Sequence, residues 1–240
     1  MTYDMELLRT LASRIPVELS DHQFHQFLTY YILLVEKNKV MNLTAITELD
    51  EVIRKHFIDS IMLSKAIDLT KVETVADMGT GAGFPGIPLK IVYPHLKITL
   101  MDSLAKRLRF LDEVIEDLDL HNIETLHGRA EDIGQAREYR EQYDLCVSRA
   151  VANLSTLSEY CIPLVKEGGA FISYKSGEVN KEVDAAKNAI SFLGGAGSEV
   201  IYFTLPETDM QRSFVKINKI KKTPKRYPRK AGLPSKEPLS

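Results

Sequence analysis

The segment Val75-Ala-Asp-Met-Gly-Thr-Gly-Ala-Gly-Phe-Pro-Gly-Ile-Pro-Leu89 constrains this chain more than any other. An apolar run ends in an acid, Asp77, and passes into three closely spaced glycines, Gly79, Gly81 and Gly83. Glycine reaches positive φ without a Cβ clash, so such a run turns tightly and brings backbone closer to a ligand than any residue with a side chain. Pro85 stands where a first helical turn starts. The helix beyond it is expected to aim its free N–H groups into the crevice at the strand's end. A turn of this form, following the first strand of an α/β sheet, points to a nucleotide-type cofactor. A phosphate P-loop is excluded, because the run has no Gly-Lys-Ser/Thr ending.

From Val72 onward, short apolar runs alternate with helical stretches, the pattern of βαβ units around a parallel sheet. Strands are expected at Thr74–Met78, Lys97–Asp102, Ile123–His127, Tyr143–Ser148 and Ala170–Lys175. The last two candidates, Glu199–Leu205 and Ser213–Ile220, have too few residues between them for a crossover helix, which predicts an antiparallel hairpin. Ahead of the sheet, Phe24, Phe27, Leu28, Tyr31, Leu34 and Val35 recur at helical spacing after Ser20-Asp21, and this helix is expected to stop near Asn38. A second amphipathic helix is expected from Glu48 to Ile67, with His56 as a buried, hydrogen-bonded member. The expected organisation is a helical region over 1–70, an α/β domain over 71–222 and a basic tail over 223–240.

Charge divides the chain. Residues 216–240 hold nine of the 31 Lys and Arg but a single acid, Glu237, whereas the formal net charge of the whole is −2. A basic segment on an otherwise acidic body suits phosphate backbones, and Lys221, Lys222, Lys225, Arg226 and Arg229 are the candidate RNA contacts. The two cysteines, Cys146 and Cys161, lack metal-knuckle or redox spacing and are expected to pack as small hydrophobes, so no metal is expected. No stretch approaches the roughly 18 apolar residues that span a bilayer, and the opening residues have no signal-peptide pattern. The expected location is cytoplasmic, away from membranes.

Further strand ends supply more of the crevice. Asp102 closes the second strand, where a carboxylate can accept hydrogen bonds from two ribose hydroxyls. After the third strand, Arg129-Ala-Glu-Asp132 offers a backbone N–H and adjacent acids for the edge of an adenine. Two features favour S-adenosylmethionine over a nicotinamide cofactor. Asp77 can hold an ammonium, directly or through water, but would repel a pyrophosphate. The terminal hairpin also belongs to the seven-stranded methyltransferase sheet and is usually lacking in the dinucleotide one. Tyr93-Pro-His-Leu-Lys97 has reductase spacing, but Pro94 breaks the helix and the pair precedes the second strand, at the wrong edge.

Asn38-Lys-x-x-Asn42-Leu-Thr-Ala-Ile46, Lys55-His-Phe-Ile-Asp-Ser-Ile61, the Asp77–Pro88 loop, Ser148-Arg-Ala-Val-Ala152 and Arg226-Tyr-Pro-Arg-x-x-Gly-x-Pro-x-Lys-x-Pro-Leu239 occur in order along most of the chain. Together they resemble the ribosomal small-subunit methyltransferase G family, also called glucose-inhibited division protein B. The resemblance implies a Rossmann-like class I fold and methyl transfer from S-adenosylmethionine to N7 of one guanosine in 16S ribosomal RNA, naked or in an assembling small subunit. It also implies that Gly79 and Phe84 belong to the cofactor loop, Ala130 and Glu131 lie beside the adenine, and Arg149 stands at the tip of the fourth strand. Guanine N7 has an in-plane lone pair and no proton, so no general base is needed. Arg149 is the expected catalytic residue, pairing with the cofactor's carboxylate or gripping an RNA phosphate or guanine O6. The competing functions are a nicotinamide-dependent reductase and an RNA-binding module that keeps the fold without catalysis.

Overall fold

In the computed structural model, which describes residues 4–239, five parallel strands form the body of one sheet: β1 (Thr74–Met78), β2 (Lys97–Asp102), β3 (Ile123–His127), β4 (Tyr143–Arg149) and β5 (Val165–Ser176). A hairpin of β6 (Gly195–Thr204) and β7 (Gln211–Lys219) completes it, with β7 inserted antiparallel between β5 and β6. The order is β3-β2-β1-β4-β5-β7-β6. The direction of strand addition reverses between β1 and β4, which opens a crevice at the carboxyl ends of those strands.

β1, β2 and β3 begin and end where the sequence predicts. β4 runs one residue further, so Arg149 is its last member. β5 starts at Val165, five residues earlier than expected, because its register with β4 shifts between Tyr143 and Leu145 and absorbs the Gly168-Gly169 pair that suggests a break. A second irregularity, between Ala196 and Glu199, likewise lets β6 begin at Gly195.

Alternation along the strands divides the core. Val75, Ile98, Leu100, Leu145 and Val147 face a layer built from α1 (Glu6–Ala12), α2 (Asp21–Met41), the elements after it, α5 (Gly86–Val92) and α6 (Ala105–Asp117). Ala76, Met78, Met101 and Cys146 face α7 (Ala130–Gln135), α8 (Leu154–Cys161) and α9 (Asn180–Leu193). Residues 5–69 thus share one core with the sheet. Both cysteines are fully buried and unbridged, packed within the second layer.

α2 opens on a capping box between Ser20 and Gln23 and continues past Asn38, the expected stop, to Met41. Asn42, left-handed at φ 50°, ends it instead, while the Asn38 side chain accepts from Thr44 N at 2.9 Å. The single helix expected from Glu48 to Ile67 is broken. α3 (Leu49–Val52) passes into a π-helical turn at Ile53–Ile58, then α4 (Asp59–Ile61) and a 3-10 turn at Met62–Lys65. A π turn widens the helix by one residue per turn, and here it delivers Lys55, His56 and Asp59 to the tip of β4.

Every residue of α5 is buried. A Cβ on Gly86, its first residue, would collide with Leu100 Cδ2 and lie 2.8 Å from Asp77 Oδ2. Gly86→Ala is therefore expected to destabilise the fold by about 1–3 kcal/mol, the usual cost of overpacking. An unchanged urea midpoint would show that the layer has room to spare.

The tail is not a linker. β7 runs toward the edge where the parallel strands begin, and residues 223–239 then climb the outside of α7 and α8 to the opposite edge, ending in the four-residue α10 (Leu233–Lys236). Thr223, Tyr227 and Pro234 are buried on the way.

Candidate active site

A cavity of about 840 Å³ opens at the carboxyl ends of β1, β2, β3 and β4. Its floor is the glycine turn, Gly79 to Ala82. Gly79 (φ 73°) and Gly81 (φ 62°) hold left-handed conformations, and a Cβ on Gly79 would sit 2.5 Å from Val151 Cγ2. Gly79 N and Thr80 N donate to Met101 O at 2.9 and 3.0 Å, which closes the turn onto β2. Three side chains from different elements then fix it. Tyr30 Oη, from α2, donates to Ala82 O at 2.5 Å. Asp77 Oδ2 accepts from Thr80 Oγ1 (2.7 Å) and Gly86 N (2.9 Å), and Asp102 Oδ2 accepts from Gly81 N (3.0 Å).

Two expectations for this turn need correction. Asp77 does not line the cavity: it is fully buried beneath the loop, and by accepting from Gly86 N it occupies the start of α5 that was expected to face a ligand. Burial pushes its carboxyl up to about 6, opposed by hydrogen bonds from Thr80 and Gly86 and by the positive charge of Arg149. Its Oδ1 is buried without a hydrogen-bond partner, so any attraction for a ligand cation acts from one layer below the surface. Gly83 is also absent from the lining. At φ 101° its Cα packs against Ile87, the Tyr30 hydroxyl and Leu111, where a Cβ would come within 2.7–2.9 Å. Its lack of a side chain serves the contact between loop and helices.

One end of the cavity is formed by Asp102, Ser103, Leu104 and Arg107 from the β2 tip and by Gly128 to Glu131 after β3. Asp102, only 5% exposed, accepts from Leu104 N at 2.9 Å through Oδ1 and from Arg107 Nη1 at 3.3 Å through Oδ2. The Arg107 contact is the longest of the three that this carboxylate makes. Of the adjacent acids, Glu131 reaches the cavity and Asp132 does not. Glu131 Oε1 is engaged by Gly232 N at 2.7 Å.

The other end holds Phe84, Arg149, Val151, Leu43, Thr44 and His56. Arg149 Nη1 donates to Asp59 Oδ2 (2.9 Å) and Lys55 O (3.2 Å), and its guanidinium carbon lies 5.1 Å from the Phe84 ring centroid. Asp59 is shared with Arg212 Nε at 3.1 Å. Arg149 is thus held by the helical layer, a partner that neither of its expected placements included. His56 stacks on Phe84 with centroids 4.5 Å apart. Its Nδ1 faces Lys55 O at 3.0 Å, which makes Nδ1 the donor, and Nε2 then accepts from Thr44 Oγ1 at 2.9 Å. Burial, reinforced by Arg149, lowers its pKa to about 4, so the ring is neutral at pH 7.

The glycine turn, the carboxylate of Asp102 at the next strand tip and the orphaned Asp77 Oδ1 beneath them suit a nucleoside that carries a cationic arm. Among the described residues, no group of His, Cys, Asp or Glu is arranged to hold a metal ion, and no helix is long and apolar enough to cross a membrane. The family model for rRNA small subunit methyltransferase G matches residues 23–215. The chain belongs to that family. It is 54% identical over 223 residues to the ribosomal RNA small subunit methyltransferase G of Lachnoclostridium phytofermentans, covering 93% of this chain and 92% of that one. Its counterpart in Exiguobacterium sp. is 50% identical over 92% of this chain and 93% of its own. Among solved structures, the fold is shared with a SAM-dependent O-methyltransferase from Thermotoga maritima at 14% identity, with a TM-score of 0.53 and coverage of 80% and 72%. It is also shared with TYW2 from M. jannaschii in complex with AdoMet at 16% identity, with a TM-score of 0.51 and coverage of 68% and 77%.

As a member of the methyltransferase G family, the chain is a class I, S-adenosylmethionine-dependent enzyme, and the reductase and non-catalytic readings are set aside. The structure brings Gly79, Gly81, Phe84, Asp102, Ala130, Glu131 and Arg149 to one cavity. It separates the tail cations from it. Lys221 N bonds to Gly194 O at the C-terminal end of α9, on the far edge of the sheet. Arg229, expected on phosphate, has its Nε–Nη2 edge bound to the fully buried Glu159. Sequence reasoning missed Leu43, Thr44, His56, Tyr160, Gly232 and Ser235 as cavity residues. The Asn42-Leu-Thr44 and Lys55-His56 motifs were the available signal, but no periodicity says that they meet the glycine turn.

Proposed function

We propose that this enzyme transfers the methyl group of S-adenosylmethionine to N7 of a guanosine in 16S ribosomal RNA, naked or in an assembling small subunit. One observation carries the choice of atom: among the described residues, no imidazole or carboxylate beside Phe84 and Arg149 is left without a partner to take up a proton. Both nitrogens of His56 are occupied, and Asp59 is paired with two arginines. An exocyclic amine or a hydroxyl must lose a proton on methylation, whereas N7 attacks with a lone pair already in the ring plane. S-adenosylmethionine, when bound, supplies an electrophilic methyl on a sulfonium. The chain's own contribution is placement and exclusion of water. Asp102 orients the ribose, Gly79 and Gly81 admit the backbone approach, Asp77 adds negative charge below, and Phe84 with His56 forms the apolar wall.

The test uses methyl-labelled S-adenosylmethionine and small-subunit particles from cells lacking the modification, followed by digestion to nucleosides. The label is expected to co-elute with 7-methylguanosine. Label on an exocyclic nitrogen or a ribose would refute the reading.

Lys221, Lys222, Lys225 and Arg226 are exposed and none of them lines the cavity, so they suit phosphates away from the target base. Arg229 is withdrawn from that set. Neutralising the four is expected to flatten the dependence of RNA affinity on salt by a slope of roughly 2 or more, with cofactor affinity unchanged. An unaltered slope would leave them as a solvated surface.

A further inference from the structure

One wall of the cavity comes from neither the strand tips nor the helical layer. Gly232 and Ser235 line it, brought there by a segment that starts at the opposite edge of the sheet. Arg140 holds the lower part of that segment through Tyr227 O (2.7 Å) and Thr223 O (2.8 Å). Pro228 then lies so close to α7 that a Cβ on Gly134 would be 2.6 Å from its Cγ.

The strongest anchor is Arg229. Its Nε donates to Glu159 Oε1 at 2.9 Å, its Nη2 to Oε2 at 2.7 Å, and its backbone N to Oε1 at 2.7 Å. Glu159 is 0% exposed. A carboxylate buried to this degree is strongly unfavourable without a partner, so the segment and Glu159 hold each other in place. Beyond it, Gly232 at φ 83° turns the chain, Gly232 N donates to Glu131 Oε1 at 2.7 Å, and Thr156 Oγ1 donates to Pro234 O at 3.0 Å. Glu131 and Gly232 are therefore neighbours at the end of the cavity opposite Arg149.

We propose that residues 229–236 are a strap forming the adenine-side wall of the cofactor pocket, fastened by the Arg229–Glu159 pair, so that strap closure and cofactor binding stabilise one another. The proposal rests on reading the cavity as the S-adenosylmethionine pocket. Glu131 is then a positioning residue that holds Gly232. Arg229, which does not line the cavity, acts through the strap. Coupling of this kind is reciprocal: whatever the strap adds to cofactor affinity, the cofactor adds to strap closure.

Two experiments on the full chain test it, with S-adenosylhomocysteine as the stable probe. Calorimetry on the unaltered protein first establishes binding; no binding would defeat the reading of the cavity, not the strap. In the protein that binds, trypsin cleavage after Lys230 and Lys236 is expected to slow about tenfold at saturating probe, within the usual range of coupling. Arg229→Leu is expected to raise the KM for S-adenosylmethionine about tenfold with kcat and the KM for RNA nearly kept, and Arg229→Lys to recover part. Cleavage indifferent to bound probe, or an unchanged cofactor KM in Arg229→Leu, would overturn the strap. If Arg229→Leu does not fold, the cleavage experiment on the unaltered protein still decides.

Discussion

Arg149→Ala is expected to lower single-turnover methyl transfer by about 10²–10³-fold, the scale seen when one preorganised donor is removed from an active site, with little change in the fold. The fold survives because Asp59, the buried partner, keeps Arg212. Activity falls for an electrostatic reason. A bare guanidinium beside a sulfonium, or beside the cationic ring of an N7-methylated guanine, would oppose the reaction. Asp59, shared with Arg212, offsets part of that cost, and the guanidinium edge it leaves can bind a carboxylate, a phosphate or guanine O6. Arg149→Lys should recover only part of the rate, because an ammonium cannot reach Asp59, Lys55 O and a ligand in one plane. Full single-turnover activity in Arg149→Ala would remove it from the catalytic assignment.

Asp102→Ala should weaken cofactor binding by more than the loss of ribose contacts alone. Charged hydrogen bonds of that type are worth about 1.5–3 kcal/mol, roughly tenfold or more in affinity. The same carboxylate also receives Gly81 N and Leu104 N, so its removal frees the glycine turn and the start of α6. Asp102→Asn separates the two roles, since an amide oxygen can keep one backbone bond while the charge is lost. Calorimetry with S-adenosylhomocysteine reads both variants. Unchanged affinity in folded Asp102→Ala would place the ribose elsewhere.

What was legible in the sequence follows from the range of the forces involved. β1 to β3 are short apolar runs closed by turn residues, and local patterning locates them to the residue. The terminal hairpin was equally visible, because its linker is too short for anything else. Gly79, Gly81 and Asp102 were found because a strand tip and a glycine turn are local features with a general use. The roles of Asp77 and Gly83 were misread for the same reason. Facing inward or outward depends on what packs beside them, and that is α2 and α5. The π turn has no compositional mark, so His56 and Asp59 could not be placed beside Arg149 from spacing. In the tail, charge dominated the reading, whereas its anchors are carbonyls of Thr223 and Tyr227 and a carboxylate 70 residues away.

That last separation also bears on how the molecule matures. Gly232 meets Glu131 across 101 residues, and Arg229 meets Glu159 across 70. The strands and their flanking helices precede residue 229 in the chain, so during synthesis they can assemble before the strap has been made. A nascent chain therefore carries Glu159 without its arginine and a cavity open on one side. The pocket closes only after residues 229–236 have been joined, so a product that stops before them would keep the sheet and leave the site open on that side.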